Sequence, residues 1–110
     1  MKVYECYTFD HDSHSACKIV DNIDKAITWK KEVQELLNQH NTIYRVSEKE
    51  ENIFYEMHGG CTSALMRMWN ETETYKALLR EMDKIENILE TKYDANAYNR
   101  TCDYKEWELK

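Results

Sequence analysis

The hydrophobic pattern changes period once in the first forty residues, and that change limits what the chain can become. Before Val20 apolar side chains alternate, and from Ile23 they recur every three or four positions. Residues 2–9 set Val3, Tyr7 and Phe9 on one side and Tyr4, Cys6 and Thr8 on the other. Large side chains on both faces suit a central strand, with Glu5 as the exception that must reach an edge or solvent. Asp10-His11-Asp12-Ser13-His14 is made of turn formers, and residues 16–20 read as the returning strand. Asp21 or Asn22 then offers an N-cap oxygen, and Asp24 suits the first turn. Ile23, Ala26, Ile27, Val33, Leu36 and Leu37 share one side of a helix over residues 23–37, with Trp29 at its margin. A hairpin feeding an amphipathic helix is therefore the frame onto which the rest must pack.

After that helix, which is expected to end in Asn38-Gln39-His40-Asn41, come two blocks of strand formers. Ile43, Tyr44 and Val46, then Ile53, Phe54 and Tyr55, flank Glu48-Lys49-Glu50-Glu51 and predict a second hairpin with a charged loop. The only two glycines, Gly59 and Gly60, mark the sharpest break. Beyond them residues 62–69 and 71–93 read as helices, the second carrying Tyr75, Leu78, Met82, Ile85 and Leu89 as a narrow seam. Residues 102–109 alternate as a closing strand. The expected fold is α+β in one domain over residues 1–110: an antiparallel sheet of about five strands, with two main helices on one face.

Charge and composition narrow the function classes. An apolar fraction of 42% argues against disorder, and no run is long enough to cross a membrane. A net charge of -6 disfavours direct binding to nucleic acid, which needs clustered lysine and arginine. It suits a partner with a basic surface. The N-terminus lacks the apolar core of a signal peptide, so a cytoplasmic chain with four reduced cysteines is expected.

The succession Met1-Lys2-Val3-Tyr4, polar turn, strand, Asp-capped helix with Asp24-Lys25-Ala26, and closing Tyr104-Lys105-Glu106-Trp107-Glu108-Leu109 resembles a known group. It is similar to the small uncharacterised proteins of phages and prophages of Gram-positive bacteria, in which a ββα unit is closed by a C-terminal strand. The likeness covers residues 1–38 and 102–110 and brings no catalytic residues with it. It implies a setting in the host bacterial cytoplasm, as an inhibitor of a host or anti-phage defence protein. An inhibitor of the anti-CRISPR kind would cover a nucleic-acid-binding surface.

Three groups of residues are candidates for chemistry or binding. His14 and Cys17, with His58 and Cys61, are two His-x2-Cys pairs that would make a zinc site if their loops met. Loop histidines and core thiols account for the same residues. Cys61 near His58 has the composition of a nucleophile pair, but nothing supplies an orienting third group, and no enzyme activity or cofactor is expected. For partner binding the candidates are Glu48, Glu50 and Glu51 in the charged loop, and Met66 and Trp69 in a helix apolar on two sides. The expectation is a non-enzymatic protein-binding inhibitor. A small zinc protein and a binder of a small nucleotide ligand, as a homodimer, are the alternatives.

Overall fold

The computed structural model describes residues 1–109. Its elements run β1 (Lys2–Phe9), β2 (His14–Val20), α1 (Ile23–Met57), α2 (Ser63–Asn70), α3 (Glu73–Tyr93) and β3 (Thr101–Glu108). β1 lies between β2 and β3 and pairs antiparallel with both. Tyr4 thus stands opposite Val20 on one side and Glu106 on the other. At a register shift after Cys6, β2 steps from Lys18 to Ala16, leaving Cys17 as the bulged residue.

One sheet face is covered. Tyr4 and Cys6 of β1 and Cys102 of β3 meet Ala26, Trp29, Val33 and Leu37 of α1 in a core completed by Ile85, Leu89 and Tyr93 of α3. α1 is the helix laid on all three strands, while α3 packs chiefly against α1. The Trp29 indole N–H donates to the Tyr93 carbonyl at 3.0 Å, and the Tyr93 hydroxyl donates back to Glu32 at 3.1 Å. Gln34 fixes β3 to α1: its amide N donates to the Arg100 carbonyl and its oxygen accepts from the Cys102 backbone N–H, both at 3.0 Å. On the opposite sheet face Tyr7 stacks between Phe9 and His14, and Lys105 lies over the Trp107 ring.

Two expectations are corrected. The sheet has three strands rather than about five, and of the two main helices expected on its face, beside the short α2, α1 lies on the sheet while α3 packs chiefly against α1. Residues 42–47 and 52–57, expected as a second hairpin, belong to α1, and so does the charged segment between them. The reason is local chemistry. No glycine or proline lies between residues 23 and 57, and Glu48-Lys49-Glu50-Glu51 are strong helix formers. The asparagines expected to cap the helix are absorbed by it, Asn38 accepting from Gln34 through its side chain and from the Thr42 hydroxyl through its carbonyl.

α1 stops only at the glycines. The Gly60 N–H bonds the Tyr55 carbonyl at 2.9 Å and the Gly59 N–H the Glu56 carbonyl at 3.4 Å, the paired bonds of a Schellman cap. Gly59 takes φ 86 in this cap, a left-handed conformation that a Cβ disfavours, although a Cβ there would meet nothing within 4 Å. Gly59→Ala should therefore destabilise the protein by about 1 kcal/mol through backbone strain alone. Leu89→Ala, emptying a fully buried site, should cost about 2–5 kcal/mol. Urea denaturation followed by circular dichroism reads both.

Candidate interaction surface

The two His/Cys pairs lie apart. His14 and Cys17 sit on β2, where the His14 ring rests on Tyr7 and Cys17 lies beside the Thr8 hydroxyl. His58 caps the far end of α1, its Nδ1 donating to the Phe54 carbonyl at 2.8 Å, and Cys61 follows in an exposed turn. Ser13, next to His14, contacts Asn99, which shares a cleft with Leu37 and His40. From His40 to His58 is about 27 Å along a helix. The four candidate zinc ligands are not brought together, and no group of three or more His, Cys, Asp or Glu suited to a metal occurs among the described residues.

The loop between β1 and β2 is closed on itself. The Asp10 carboxylate accepts from the backbone N–H of Asp12 and Ser13 and from the Ser13 hydroxyl, each at 3.0 Å. These bonds, the Asp12 N–H first, hold the Asp10 carboxyl below its usual range. A groove of about 850 Å³ opens between the end of β2, the start of α1 and the end of α3. Its lysines, Lys18, Lys25 and Lys92, are matched by Asp21, Asp24 and Glu32. Lys25 is held by Asp21 at 3.0 Å and Lys92 lies over the Tyr93 ring, so the groove offers a phosphate no surplus of positive charge.

The unusual feature is the arm that α1 and α3 build beyond the sheet. The protein measures 63 × 24 × 16 Å and its radius of gyration is 18.0 Å, where a compact chain of this length would have about 13 Å. Between residues 38 and 82 the buried side chains are His40, Ser47 and Trp69, whereas Tyr44, Val46, Ile53, Met57, Met66, Met68 and Leu79 are exposed. Few side chains of the arm are thus fully buried: Ile43, Phe54, Leu78 and Met82 are half-buried, and several apolar side chains face outward. His40 sits 3.2 Å from Glu86 across the two helices. At the tip, Trp69 (4% exposed) packs between Phe54 and Tyr75, with ring centroids 5.7 and 5.8 Å away. The Tyr55 hydroxyl donates to Glu51 at 2.8 Å, and burial together with that carboxylate pushes it to about 12.

The five residues expected to bind a partner all fall on this arm but in different settings. Glu48 and Glu51, three apart, share one flank of α1; Glu50 turns to the other, in line with Val46 and Ile53. Met66 is 49% exposed on α2. Trp69 is a packed support instead of an exposed anchor, because the Phe54–Tyr75 cleft beneath α2 takes its ring. Val46 and Ile53 escaped notice as surface residues in the sequence, since their exposure depends on residues 42–57 being helical. No protein-family model, curated protein or solved structure matches the chain.

Thiol reactivity checks the packing. All four thiols are free. Burial pushes Cys6 and Cys102 up to about 11, and the Cys102 thiol donates to the Lys30 carbonyl at 3.3 Å. Iodoacetamide at pH 8 should label exposed Cys61 first and Cys17 more slowly, reaching Cys6 and Cys102 only on unfolding; peptide mass spectrometry reads the order. Because the folded thiols hold their protons more tightly than unfolded ones, stability should fall as pH rises from about 9 towards 11.

Proposed function

We propose that this chain is a non-enzymatic protein-binding module that engages its partner with the tip of the helical arm. The observation that carries the reading is the exposed pair at the tip: Met66 and Met68 (49% and 51% exposed) stand on an α2 supported from beneath by the Phe54–Trp69–Tyr75 cluster. Methionines on a firm support adapt to a partner's contours, which suits a binding surface. α2 is fastened at both ends. The Thr62 hydroxyl accepts from the Leu65 N–H at 3.2 Å, and Thr72, which caps α3, donates to the Trp69 carbonyl at 2.7 Å.

The acidic residues add direction. Glu48, Glu71 and Glu73 are exposed along the arm, and the whole chain carries -6. Such a surface suits a partner whose own face is basic, and long-range attraction would speed the encounter. The reading extends to a phage-type inhibitor that covers the nucleic-acid-binding surface of a host or defence protein, in the bacterial cytoplasm.

The test is to identify the partner from a bacterial lysate and measure binding kinetics across a salt series. Met66→Glu with Met68→Glu should abolish binding while leaving the helical circular-dichroism signal unchanged. Reversing the exposed Glu48 and Glu73 to Lys should slow association at low salt by about tenfold and leave dissociation nearly constant. A partner held equally well by the methionine double variant would place the binding surface elsewhere and end the tip reading.

A further inference from the structure

The two edges of the sheet are finished differently. At β3 the outer edge is closed by α1: the Gln34 amide donates to the Arg100 carbonyl, its oxygen accepts from the Cys102 N–H, and Lys30 reaches Asp103 at 3.1 Å. Because the Cys102 N–H points out of the sheet, Thr8 opposite it directs its own backbone groups towards β2. By the alternation of an antiparallel ladder, Cys6 and Tyr4 do the same. Their partners Lys18 and Val20 therefore turn inward, and Ile19 between them presents its N–H and C=O outward. Among the described residues no backbone or side-chain group outside the sheet bonds to Ile19. The bulge at Cys17 and the helix cap at Asn22 bound this open stretch of edge.

A groove runs beside it. The cavity of about 850 Å³ has Lys18, Ile19 and Val20 on one wall and Lys92 and Tyr93 on the other. Where Cys17 and Asp94 follow these walls, it adjoins a second cavity of about 630 Å³, between residues 15–17 of β2 and the last turns of α3. The two differ in chemistry. The first has Trp29 and Tyr93 in its lining, and their indole N–H and hydroxyl are already spent on the Tyr93 carbonyl and on Glu32. It therefore favours an apolar side chain. The second is lined by Glu86, Glu90 and Asp94 and by no lysine or arginine. Glu86 answers His40, whereas Glu90 and Asp94 are exposed and enter no ion pair among the described residues. Both stand at the C-terminal end of α3, where the helix dipole adds to the negative field.

We propose that the β2 edge is a docking site for an extended basic segment of a partner protein, which adds to the sheet beside Ile19. The outward N–H and C=O of Ile19 pair with the segment's backbone. Its side chains that face the helices recur every second residue, about 7 Å apart. An arginine among them enters the acidic cavity, where its planar group meets the Glu90 and Asp94 carboxylates. Apolar residues two and four positions away then lie in the groove over Trp29 and Tyr93. The charge decides the occupant: an acidic or purely apolar strand would leave two carboxylates at the helix end unanswered. This site lies at the base of the molecule and stands independently of the methionine tip.

The test is fluorescence anisotropy of a labelled peptide, Arg-Thr-Val-Thr-Leu flanked by threonines, titrated with the full chain. Binding should be saturable, and replacing the peptide's arginine by glutamate should weaken it by about tenfold or more. Glu90→Lys with Asp94→Asn, the asparagine keeping the left-handed turn, should weaken the arginine peptide similarly and strengthen the glutamate peptide. A strand uses one edge for pairing, so N-methylating its alternate amides should abolish binding in one phase and spare it in the other. Nitrogen-15 NMR should show the Ile19 and Val20 amides shifting. No saturable binding up to about 1 mM, equal affinity for the glutamate peptide, or N-methylated phases that act alike would each overturn the proposal. Shifts confined to Met66 and Met68 would overturn it too, while leaving the tip reading in place.

Discussion

The fold depends on Trp29. Its ring is buried in α1 between the sheet and α3, and its indole N–H is spent on the Tyr93 carbonyl at the last turn of α3. One side chain therefore ties the strand layer, the long helix and the returning helix, and sets where α3 must end. A carbonyl at a helix C-terminus has no partner of its own, so this bond satisfies the helix end and a buried indole at once. The left-handed Asp94 then turns the chain, Ala95 enters the core, and β3 is delivered to the free edge of β1.

The connection into β3 is held by polar side chains. Asn99, almost fully buried, donates to the Thr8 hydroxyl at 2.8 Å, and Gln34 bonds the backbone on both sides of Thr101. Among the described residues no buried side-chain nitrogen or oxygen lacks a partner. Burying such groups is costly only when they stay unpaired, so this network fixes the register of β3 at a point where apolar packing alone would allow it to slide. The consequence is a rigid base from which the two helices project.

The arm obeys a different balance. Near the sheet, α1 has two layers to bury against; beyond residue 40 it has chiefly α3, with α2 joining at the tip. A helix with one neighbour buries one narrow stripe, and here that stripe includes His40 and Ser47 while Val46, Ile53 and Met57 stay outside. The Phe54–Trp69–Tyr75 cluster closes the far end, so the arm is pinned at both ends and open along its length.

The sequence by itself determined the base of the protein. The bounds of β1, the start of α1 at Ile23 with a cap at Asp21 or Asn22, the break at Gly59-Gly60 and the closing strand were all legible, because local rules govern them: period-two alternation, side-chain capping and left-handed backbone. Residues 42–57 were not legible. Ile43, Tyr44, Val46, Ile53, Phe54 and Tyr55 are strand formers by composition, yet they are helical here. β propensity expresses the fit of a side chain to a neighbouring pleated surface, and no strand stands beside these residues to supply one. Among the residues expected to bind a partner, Met66 proved exposed and Trp69 buried for the same kind of reason. Both lie on one short helix with similar apolar character. Only the tertiary structure, by setting Phe54 and Tyr75 around one side of that helix, decided which became core and which remained surface.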